Sequence, residues 1–257
     1  MNYIGIDIGS TCAKTVVLNE KKEFIQEFVQ PTGWSSVDTA EEILQKLKLA
    51  GINLSDDPSC CVATGYGRIS VPYADKAVTE ITCHALGAVH LFHQPDLTVI
   101  DIGGQDTKII QIEQGFVKDF IMNDKCAAGT GRFLEVMANT LSLRPNEMFE
   151  LARLDSDTTI SSMCTVFAES EVIGLIGKGE PKENIAYAVV DSTIRKVTAQ
   201  LSRMNGEMST FCLTGGLCEC EYIREALSKK LGKEVISSPD ARYAGAIGAA
   251  LSAMKIR

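Results

Sequence analysis

The feature that most constrains the fold is an internal repeat of a strand–turn–strand pattern. The segment IDIG at residues 6–9 recurs at residues 100–103, and the two copies align without a gap as far as Lys14 and Lys108. In each copy an apolar strand, an aspartate, a glycine-containing turn and a second apolar strand follow one another. A third strand candidate comes next, at 24–29 and at 116–121. Two halves that begin in this way and finish in helices indicate a duplicated α/β fold with a cleft between the halves.

Apolar residues at helical spacing predict where the other elements lie. The predicted helices are 37–49, 74–92, 126–141, 166–176, 184–204, 219–231 and 241–254. A late strand at 211–214 is ended by Gly215 and Gly216. We expect a first half at 1–96, a second half at 97–240, and a terminal helix (241–257) that packs back on the first half.

Composition narrows the class of protein. The 257 residues are 45% hydrophobic and 23% charged, as in ordinary soluble proteins. The first ten residues lack a basic segment and no apolar run approaches the length of a membrane helix, so we expect neither a signal peptide nor a membrane partner. The net charge of −8 disfavours a nucleic-acid partner. Nine cysteines without a secretion signal indicate reduced thiols in a cytoplasmic protein.

The repeated turns have the composition of phosphate-binding loops. Asp7 and Asp101 each stand where a strand ends and the chain turns through glycine. Glycine lets the backbone approach a phosphate closely, and successive backbone N–H groups in a turn can hold an anion. A carboxylate beside the turn can hold Mg²⁺ while the ion bridges phosphates. Two such turns would clamp a polyphosphate from both halves.

Two ordinary β-hairpins are the alternative interpretation of the repeat. Two copies in register, together with the Thr214-Gly215-Gly216 turn after a late strand, favour phosphate binding. The chain has neither a Walker A sequence nor a GxGxxG that follows a strand, so the loops belong to neither of those nucleotide-binding classes.

Two cysteines lie at the start of predicted helices: Cys126 in segment 122–133 and Cys164 in segment 161–170. A thiolate there would meet free backbone N–H groups and the positive end of the helix dipole. Two thiolates cannot complete a [4Fe-4S] cluster, whereas two subunits related by a two-fold axis would supply four. From spacing alone, two buried or helix-capping cysteines remain an alternative.

Longer motifs around these residues resemble one protein family. The segments MNDKCAAGTGRF (122–133) and SSMCTVFAESEVI (161–173) are similar to the cluster-binding segments of 2-hydroxyacyl-CoA dehydratase activators and of the ATPase subunits of benzoyl-CoA reductase. Further matches are GIDIGST (5–11), ATGYGR (63–68), ADKAVTEITCHA (74–85), VIDIGGQD (99–106), TGG (214–216) and AGAIGAAL (244–251). The resemblance spans essentially the whole chain and points to the actin, Hsp70 and sugar-kinase superfamily.

The resemblance implies two ribonuclease-H-like domains with ATP in the cleft between them. Asp7 and Asp101 would organise Mg²⁺, and Asp101 and Gln105 would be catalytic, with Gln105 positioning the attacking water. Cys126 and Cys164 would hold one [4Fe-4S] cluster shared by a homodimer. The residues expected at ATP are Gly9, Ser10, Thr11, Cys12, Ala13, Lys14, Gly103, Gly104, Gln105, Gly215, Gly216 and Arg242.

The function implied by the resemblance is that of an ATP-dependent one-electron activator. Ferredoxin or flavodoxin would supply the electron, and an iron–sulfur acyl-CoA dehydratase or reductase would receive it. A small-molecule kinase, such as a sugar kinase, is the alternative enzyme of this fold, but it has no use for Cys126 and Cys164. An actin-like assembly or chaperone module without enzymatic activity is a third class.

The chain departs from the family pattern in three places, which leaves the adenosine contacts open. Cys12-Ala13 precedes Lys14, the segment 217–220 (LCEC) follows Gly216, and Arg242 stands where another polar residue is expected.

The other cysteines are expected to be structural. Cys60 and Cys61 are adjacent in a strand and so point to opposite faces. The Cys83-His84 pair lies within a predicted helix, which favours a core or interface position. Cys218 and Cys220 have no second pair nearby to complete a zinc site.

Overall fold

The computed structural model describes residues 1–54, 58–161, 164–204 and 210–256. Within these residues the chain forms ten strands and eight α-helices. The strands are β1 (Asn2–Ile8), β2 (Cys12–Leu18), β3 (Phe24–Pro31), β4 (Ser59–Thr64), β5 (Lys76–Ala77), β6 (Leu97–Ile102), β7 (Thr107–Glu113), β8 (Phe116–Asn123), β9 (Thr210–Gly215) and β10 (Val235–Ile236). The helices are α1 (Ser36–Leu49), α2 (Glu80–Phe92), α3 (Gly131–Thr140), α4 (Pro145–Leu151), α5 (Thr165–Gly177), α6 (Lys182–Leu201), α7 (Glu221–Leu231) and α8 (Ala244–Ala253).

The strands form two five-stranded sheets with the same order. The first sheet runs β3-β2-β1-β4-β5, and the second runs β10-β9-β6-β7-β8, so β6 occupies the central position that β1 occupies in the first sheet. β1 pairs antiparallel with β2 and parallel with β4. The duplicated α/β architecture predicted from the repeat is therefore confirmed.

The chain groups into two compact units. Unit 1 comprises Met1–Leu97, Ile110–Lys118 and the segment from Asp240 onward; unit 2 comprises Thr98–Ile109 and Asp119–Pro239. α8 thus belongs to unit 1, where its residues pack with Val16 and Leu18 of β2. The division of the sequence into domains at residue 96 stays a prediction.

In unit 1 the alternation of β1 decides which side chains face which helix. Ile4, Ile6 and Ile8 are fully buried and pack with α1. Successive side chains point to opposite faces of a strand, so Gly5 and Asp7 face the other layer. A Cβ on Gly5 would lie only 1.9 Å from the Ala246 carbonyl oxygen, so glycine is required for α8 to lie against β1. The same packing brings the amino-terminal end of α8 beside Asp7.

Three predicted helices begin three or more residues later than expected. The predicted helix 74–92 begins at Glu80, because Lys76 and Ala77 pair with β4 as strand β5. The predicted helix 126–141 begins at Gly131, and the last predicted helix opens as a 3-10 turn (Pro239–Tyr243) before α8. The short helix α4 was not predicted, because seven residues carry too little periodicity.

Within the described residues, no helix has the length and apolar character needed to cross a membrane.

Candidate functional site

The first repeated turn connects β1 to β2 in unit 1. The backbone N–H of Gly9 donates to the carbonyl of Cys12 at 3.1 Å, which closes the turn. Asp7 comes at the end of β1 and is only 5% exposed. Ser10 and Thr11 are exposed at the tip, Ala13 is buried, and Lys14 is half-buried.

Two glycines leave room around the Asp7 carboxylate. Gly65, which follows β4, has a φ of +84°, and a Cβ there would lie 2.4 Å from Asp7 Oδ1. A Cβ on Gly245 of α8 would lie 2.5 Å from Asp7 Oδ2. On this Oδ2 side the imidazole Nε2 of His84 lies 4.0 Å away. Side chains at either glycine would fill the space around the carboxylate.

The second repeated turn lies in unit 2, and Asp101 ends β6 there. The Thr214 hydroxyl donates to Asp101 Oδ1 at 2.8 Å, and Lys108 Nζ lies 3.3 Å from Asp101 Oδ2. Lys108 also lies 2.7 Å from Asp106 Oδ2. Asp101 is 2% and Lys108 3% exposed, so this is a buried ion cluster. Its geometry fixes the direction of the Asp101 carboxylate.

The duplication extends further than the sequence comparison detected. Gly215, the last residue of β9, has the same φ of +84° as Gly65, and a Cβ there would lie 2.9 Å from Asp101 Oδ1. The Thr64-Gly65 and Thr214-Gly215 pairs therefore close over equivalent aspartates in the two units. In the sequence, the only signal of this second equivalence is a Thr-Gly pair at the end of a strand. A two-residue pattern is too short to identify without the structure.

The remaining residues expected at the nucleotide lie on these turns or near them. Gly103 and Gly104 form the second turn, where Gln105 is exposed, and Gly216 is exposed after β9. Cys12 is half-buried on the first turn. Arg242 lies in the 3-10 turn before α8, within unit 1, and is half-buried.

Cys126 lies in a loop rather than at the start of a helix, which corrects the sequence expectation. Gly129 has a φ of +84° and Thr130 is extended as the residue before α3, so the helix cannot begin at Cys126. The Asn123 amide donates to the Cys126 carbonyl at 2.8 Å and holds the loop. The half-buried Cys126 thus lies five residues before α3.

The Cys126 loop is hydrogen-bonded to the second repeated turn. The N–H groups of Gly131 and Arg132 donate to the carbonyls of Gly103 and Gly104 at 2.9 and 2.8 Å. The buried Thr107 hydroxyl donates to the Gly129 carbonyl at 2.9 Å. Three hydrogen bonds therefore join the turn to the end of the loop that carries Cys126.

Cys164 is the N-cap residue of α5 and is exposed, as the sequence indicated for this cysteine. α5 lies in unit 2 beside α3, to which Thr140 connects it by a 3.2 Å hydrogen bond to Glu169. Several apolar side chains of α5 are exposed: Val166, Phe167, Ile173 and Ile176.

Five of the other cysteines are buried, whereas Cys12 and Cys220 are half-buried like Cys126. Burial raises the pKa of the Cys61 and Cys212 thiols, and it raises the pKa of Cys83 to about 12. These thiols stay protonated near neutral pH and are poor metal ligands. Cys60 and Cys61 pack into different core clusters, which confirms that they point to opposite faces.

Comparison with known proteins identifies relatives along nearly the whole chain. The chain is 43% identical over 255 residues to the (R)-2-hydroxyglutaryl-CoA dehydratase activating ATPase of Acidaminococcus fermentans, covering 98% of this chain and 96% of that protein. The structure of the activator of 2-hydroxyisocaproyl-CoA dehydratase from Clostridium difficile, with bound ADPNP, matches with a TM-score of 0.89 at 34% identity. It covers 100% of this chain and 95% of that chain.

A more distant likeness bears on the fold alone. A glucokinase of the ROK family from Streptomyces griseus matches with a TM-score of 0.63 at 15% identity, covering 99% of this chain and 100% of that chain. The fold is therefore that of the actin, Hsp70 and sugar-kinase superfamily, as the sequence predicted. The model of the BadF/BadG/BcrA/BcrD ATPase family matches residues 4–253. The resemblance found in the sequence motifs is confirmed: the chain belongs to the BadF/BadG/BcrA/BcrD ATPase family.

Proposed function

We propose that this protein hydrolyses ATP to deliver single electrons to an iron–sulfur acyl-CoA dehydratase or reductase. The observation that carries the proposal is the set of hydrogen bonds between the second repeated turn and the Cys126 loop. A turn with the composition of a phosphate loop and a loop with an accessible thiol are thereby parts of one structure. An ATPase that controls an electron carrier needs such a connection.

ATP is the substrate of the two repeated turns. The turn at Gly9–Thr11 and the turn at Gly103–Gln105 carry the exposed polar side chains of Ser10, Thr11 and Gln105. Lys14 supplies a cation beside the first turn, where its Nζ lies 4.0 Å from the Cβ position of Gly9. The Gly215-Gly216 turn and Arg242 are assigned to the adenosine part. Gln105, exposed on the second turn, is assigned to orient the attacking water.

Each of the two strand-end aspartates, taken in its own unit, has the chemistry of a magnesium ligand. Carboxylate oxygens are the ligands that Mg²⁺ takes in phosphate-transfer sites. Glycines at 65, 215 and 245 leave space around the carboxylates of Asp7 and Asp101 that a Cβ would fill. The ion, when bound, neutralises charge on the phosphates of ATP. Thr214 and Lys108 hold Asp101 in one orientation, so that part of the site is formed before the nucleotide binds.

Cys126 and Cys164 fit an iron–sulfur cluster better than the buried cysteines. Cys164 is exposed at the amino terminus of α5, and Cys126 is half-buried in the loop before α3. Among the described residues, no three side chains of His, Cys, Asp or Glu come together as a metal site. A [4Fe-4S] cluster held by these two cysteines therefore needs two more thiolates, which a second copy of the chain would supply. When bound, the cluster supplies a one-electron carrier.

The exposed face of α5 supports the homodimer. Val166 and Phe167 are 65% and 67% exposed directly after Cys164, and Ile173 is 57% exposed on the same helix. Apolar side chains concentrated at one surface are typical of a protein–protein contact. A second copy that completes the cluster at Cys164 would also cover this face.

We assign the electron donor from the chemistry of a one-electron carrier and the electron acceptor from the names of the chain's relatives. A ferredoxin or a flavodoxin supplies electrons singly, as such a carrier requires. Relatives are named as a dehydratase activating ATPase and as a component of benzoyl-CoA reductase, which supports an acyl-CoA dehydratase or reductase as the acceptor. We place this chemistry in the cytoplasm. A sugar kinase is not favoured, because the exposed Cys164 and the Cys126 loop beside a phosphate turn have no role in sugar phosphorylation.

Iron content and oligomeric state test the proposal together. The protein, purified without oxygen, is expected to be brown and dimeric, with four iron atoms and four sulfides per dimer. Iron would be measured chemically and mass by sedimentation in the same preparation. A colourless protein, or four iron atoms per monomer, would rule out the shared cluster.

A further inference from the structure

We propose that His84 is a positioning residue for Asp7, which it orients from the Oδ2 side through a shared water molecule. The inference rests on the proposed function, in which Asp7 serves Mg²⁺-ATP. Sequence patterns favoured a core or interface position for this histidine. The structure places it 6% exposed on α2 with its Nε2 directed at the Asp7 carboxylate.

The distance between the two groups defines how they interact. His84 Nε2 lies 4.0 Å from Asp7 Oδ2, which is longer than a direct hydrogen bond of about 2.7–3.2 Å. Polar groups separated by more than about 3.5 Å are commonly bridged by water. A single water at about 2.8 Å from each atom is compatible with this separation. Magnesium sites with few protein ligands keep several waters, so a second group that directs water beside Asp7 is chemically useful.

Gly245 keeps the space between His84 and Asp7 open. A Cβ at this position would lie 2.5 Å from Asp7 Oδ2 and 3.0 Å from His84 Nε2. Any side chain there would displace the aspartate or fill the space between the two polar groups. Glycine at this position therefore lets α8 lie against both polar groups without a side chain between them.

The position of His84 is fixed by close packing of its helix. A Cβ on Gly87 of α2 would lie 1.9 Å from the Ala244 carbonyl oxygen, and a Cβ on Gly248 of α8 would lie 1.8 Å from the Cys83 carbonyl oxygen. The backbones of α2 and α8 thus touch on both sides of His84. Helices in such contact cannot rotate, and the imidazole is held toward β1 as a result.

Substitution by the two amides separates the role of Nε2 from that of the ring as a whole. A glutamine amide reaches the place of Nε2, whereas an asparagine amide reaches the place of Nδ1. Loss of one bridged hydrogen bond to a charged group is expected to raise the Mg²⁺ concentration for half-maximal binding of ADP about tenfold in His84→Asn. In His84→Gln the rise should stay within about threefold, and binding of ADP without Mg²⁺ should not change. Isothermal titration calorimetry would measure both.

His90 provides a control substitution for His84, and the imidazole nitrogen resonances provide a spectroscopic readout. His90 lies on the same helix, half-buried and away from Asp7, so His90→Gln should leave Mg²⁺ dependence unchanged. The chain contains three histidines, so their imidazole nitrogen resonances can be assigned by substitution. Addition of Mg²⁺-ADP should shift the His84 Nε2 resonance and leave the His90 resonance in place.

The outcomes distinguish this inference from the proposed function. Equal Mg²⁺ dependence in wild type, His84→Asn and His84→Gln would overturn the role of His84 while leaving ATP binding intact. Suppose that His84→Asn and His84→Gln weaken the Mg²⁺ dependence of ADP binding equally, and that Mg²⁺-ADP does not shift the His84 resonance of the wild type. The histidine would then be purely structural, and the proposed positioning role would be overturned as well. A wild-type protein that binds neither ATP nor ADP with Mg²⁺ would overturn the proposed function and this inference with it.

Discussion

Lys108 is a buried cation placed between two carboxylates. Its Nζ lies 2.7 Å from Asp106 and 3.3 Å from Asp101, and the side chain is 4% exposed. Removing one partner of a buried ion pair leaves uncompensated charge and costs about 3–5 kcal/mol. We expect Lys108→Met to lower the free energy of unfolding by an amount in this range, measured by urea denaturation of the apoprotein.

Lys118 provides the matched control for Lys108→Met. It pairs with Glu113 at 2.8 Å, but both side chains are about half exposed. Surface ion pairs contribute about 0–1 kcal/mol, so Lys118→Met should have little effect. Similar losses in the two variants would mean that the buried cluster at Asp101 does not stabilise unit 2.

Two cysteines occupy the same structural position on different helices. Cys164 is the N-cap of α5 and Cys220 the N-cap of α7. Serine is a favoured N-cap residue, so Cys→Ser is structurally mild at both places. Cys164→Ser is expected to abolish the brown chromophore, and Cys220→Ser is expected to retain it. Absorbance near the visible iron–sulfur bands and iron content would be compared in protein reconstituted without oxygen.

A Cys164→Ser protein that keeps its iron would remove Cys164 from the ligand set. Loss of iron in Cys220→Ser as well would point to a general effect of the substitutions on folding.

The sequence predicted the roles of single residues correctly where the alignment of the two repeat copies showed which residues are equivalent. Asp7 and Asp101 were paired because the two copies align without a gap, and the structure places both at strand ends beside glycines of equal φ. His84 was missed, because its relation to Asp7 depends on how α2 packs against α8. No local pattern in a helix reports which strand end its side chains face.

At the scale of elements, the hydrogen bonds between the second turn and the Cys126 loop are the connection on which the proposed coupling depends. Thr107 is fully buried, and its hydroxyl donates to the Gly129 carbonyl. In Thr107→Val the shape is retained and this bond is lost, at a cost of about 1–3 kcal/mol. We expect ATP hydrolysis and iron content to stay near normal, while electron delivery per ATP hydrolysed falls severalfold.

Thr193 offers a matched substitution in α6 of the same unit. Its hydroxyl is buried and, among the described residues, has no hydrogen-bond partner. Thr193→Val should therefore change neither hydrolysis nor electron delivery. If Thr107→Val behaves like Thr193→Val in the coupling assay, the hydrogen bond does not carry the coupling.

Elements with long periodic patterns were predicted well, and elements decided by tertiary contacts were not. α1 and α7 begin within two residues of their predicted positions. In both, the helical spacing of apolar residues and the polar residues at the helix start indicate the same boundary. The start of α2 was six residues too early, since pairing of Lys76 and Ala77 with β4 overrides helical periodicity. Cys126 was placed in a helix for a similar reason: the left-handed Gly129 that ends its loop has no unique sequence signature.

At the scale of the whole molecule, duplication explains both the fold and the placement of the site. Two sheets of identical strand order place Asp7 and Asp101 at the ends of their central strands. The repeat was visible in the sequence, so the duplicated α/β fold was predictable. The proposed second copy of the chain and the proposed electron acceptor have no local sequence pattern that would identify them. Cys164 and the exposed apolar face of α5 are the surface on which the second copy is proposed to lie.

The central claim, that ATP hydrolysis is coupled to electron delivery, is tested most directly with Asp101→Asn. The substitution keeps the shape of the side chain and removes its charge from the proposed metal site. ATPase rate, iron content and repeated activation of a cognate iron–sulfur acyl-CoA dehydratase would be measured in one preparation without oxygen. We predict a brown, dimeric variant whose hydrolysis is slowed at least about a hundredfold and whose activation of the dehydratase falls in parallel. Sustained activation by a variant that cannot hydrolyse ATP would contradict the account.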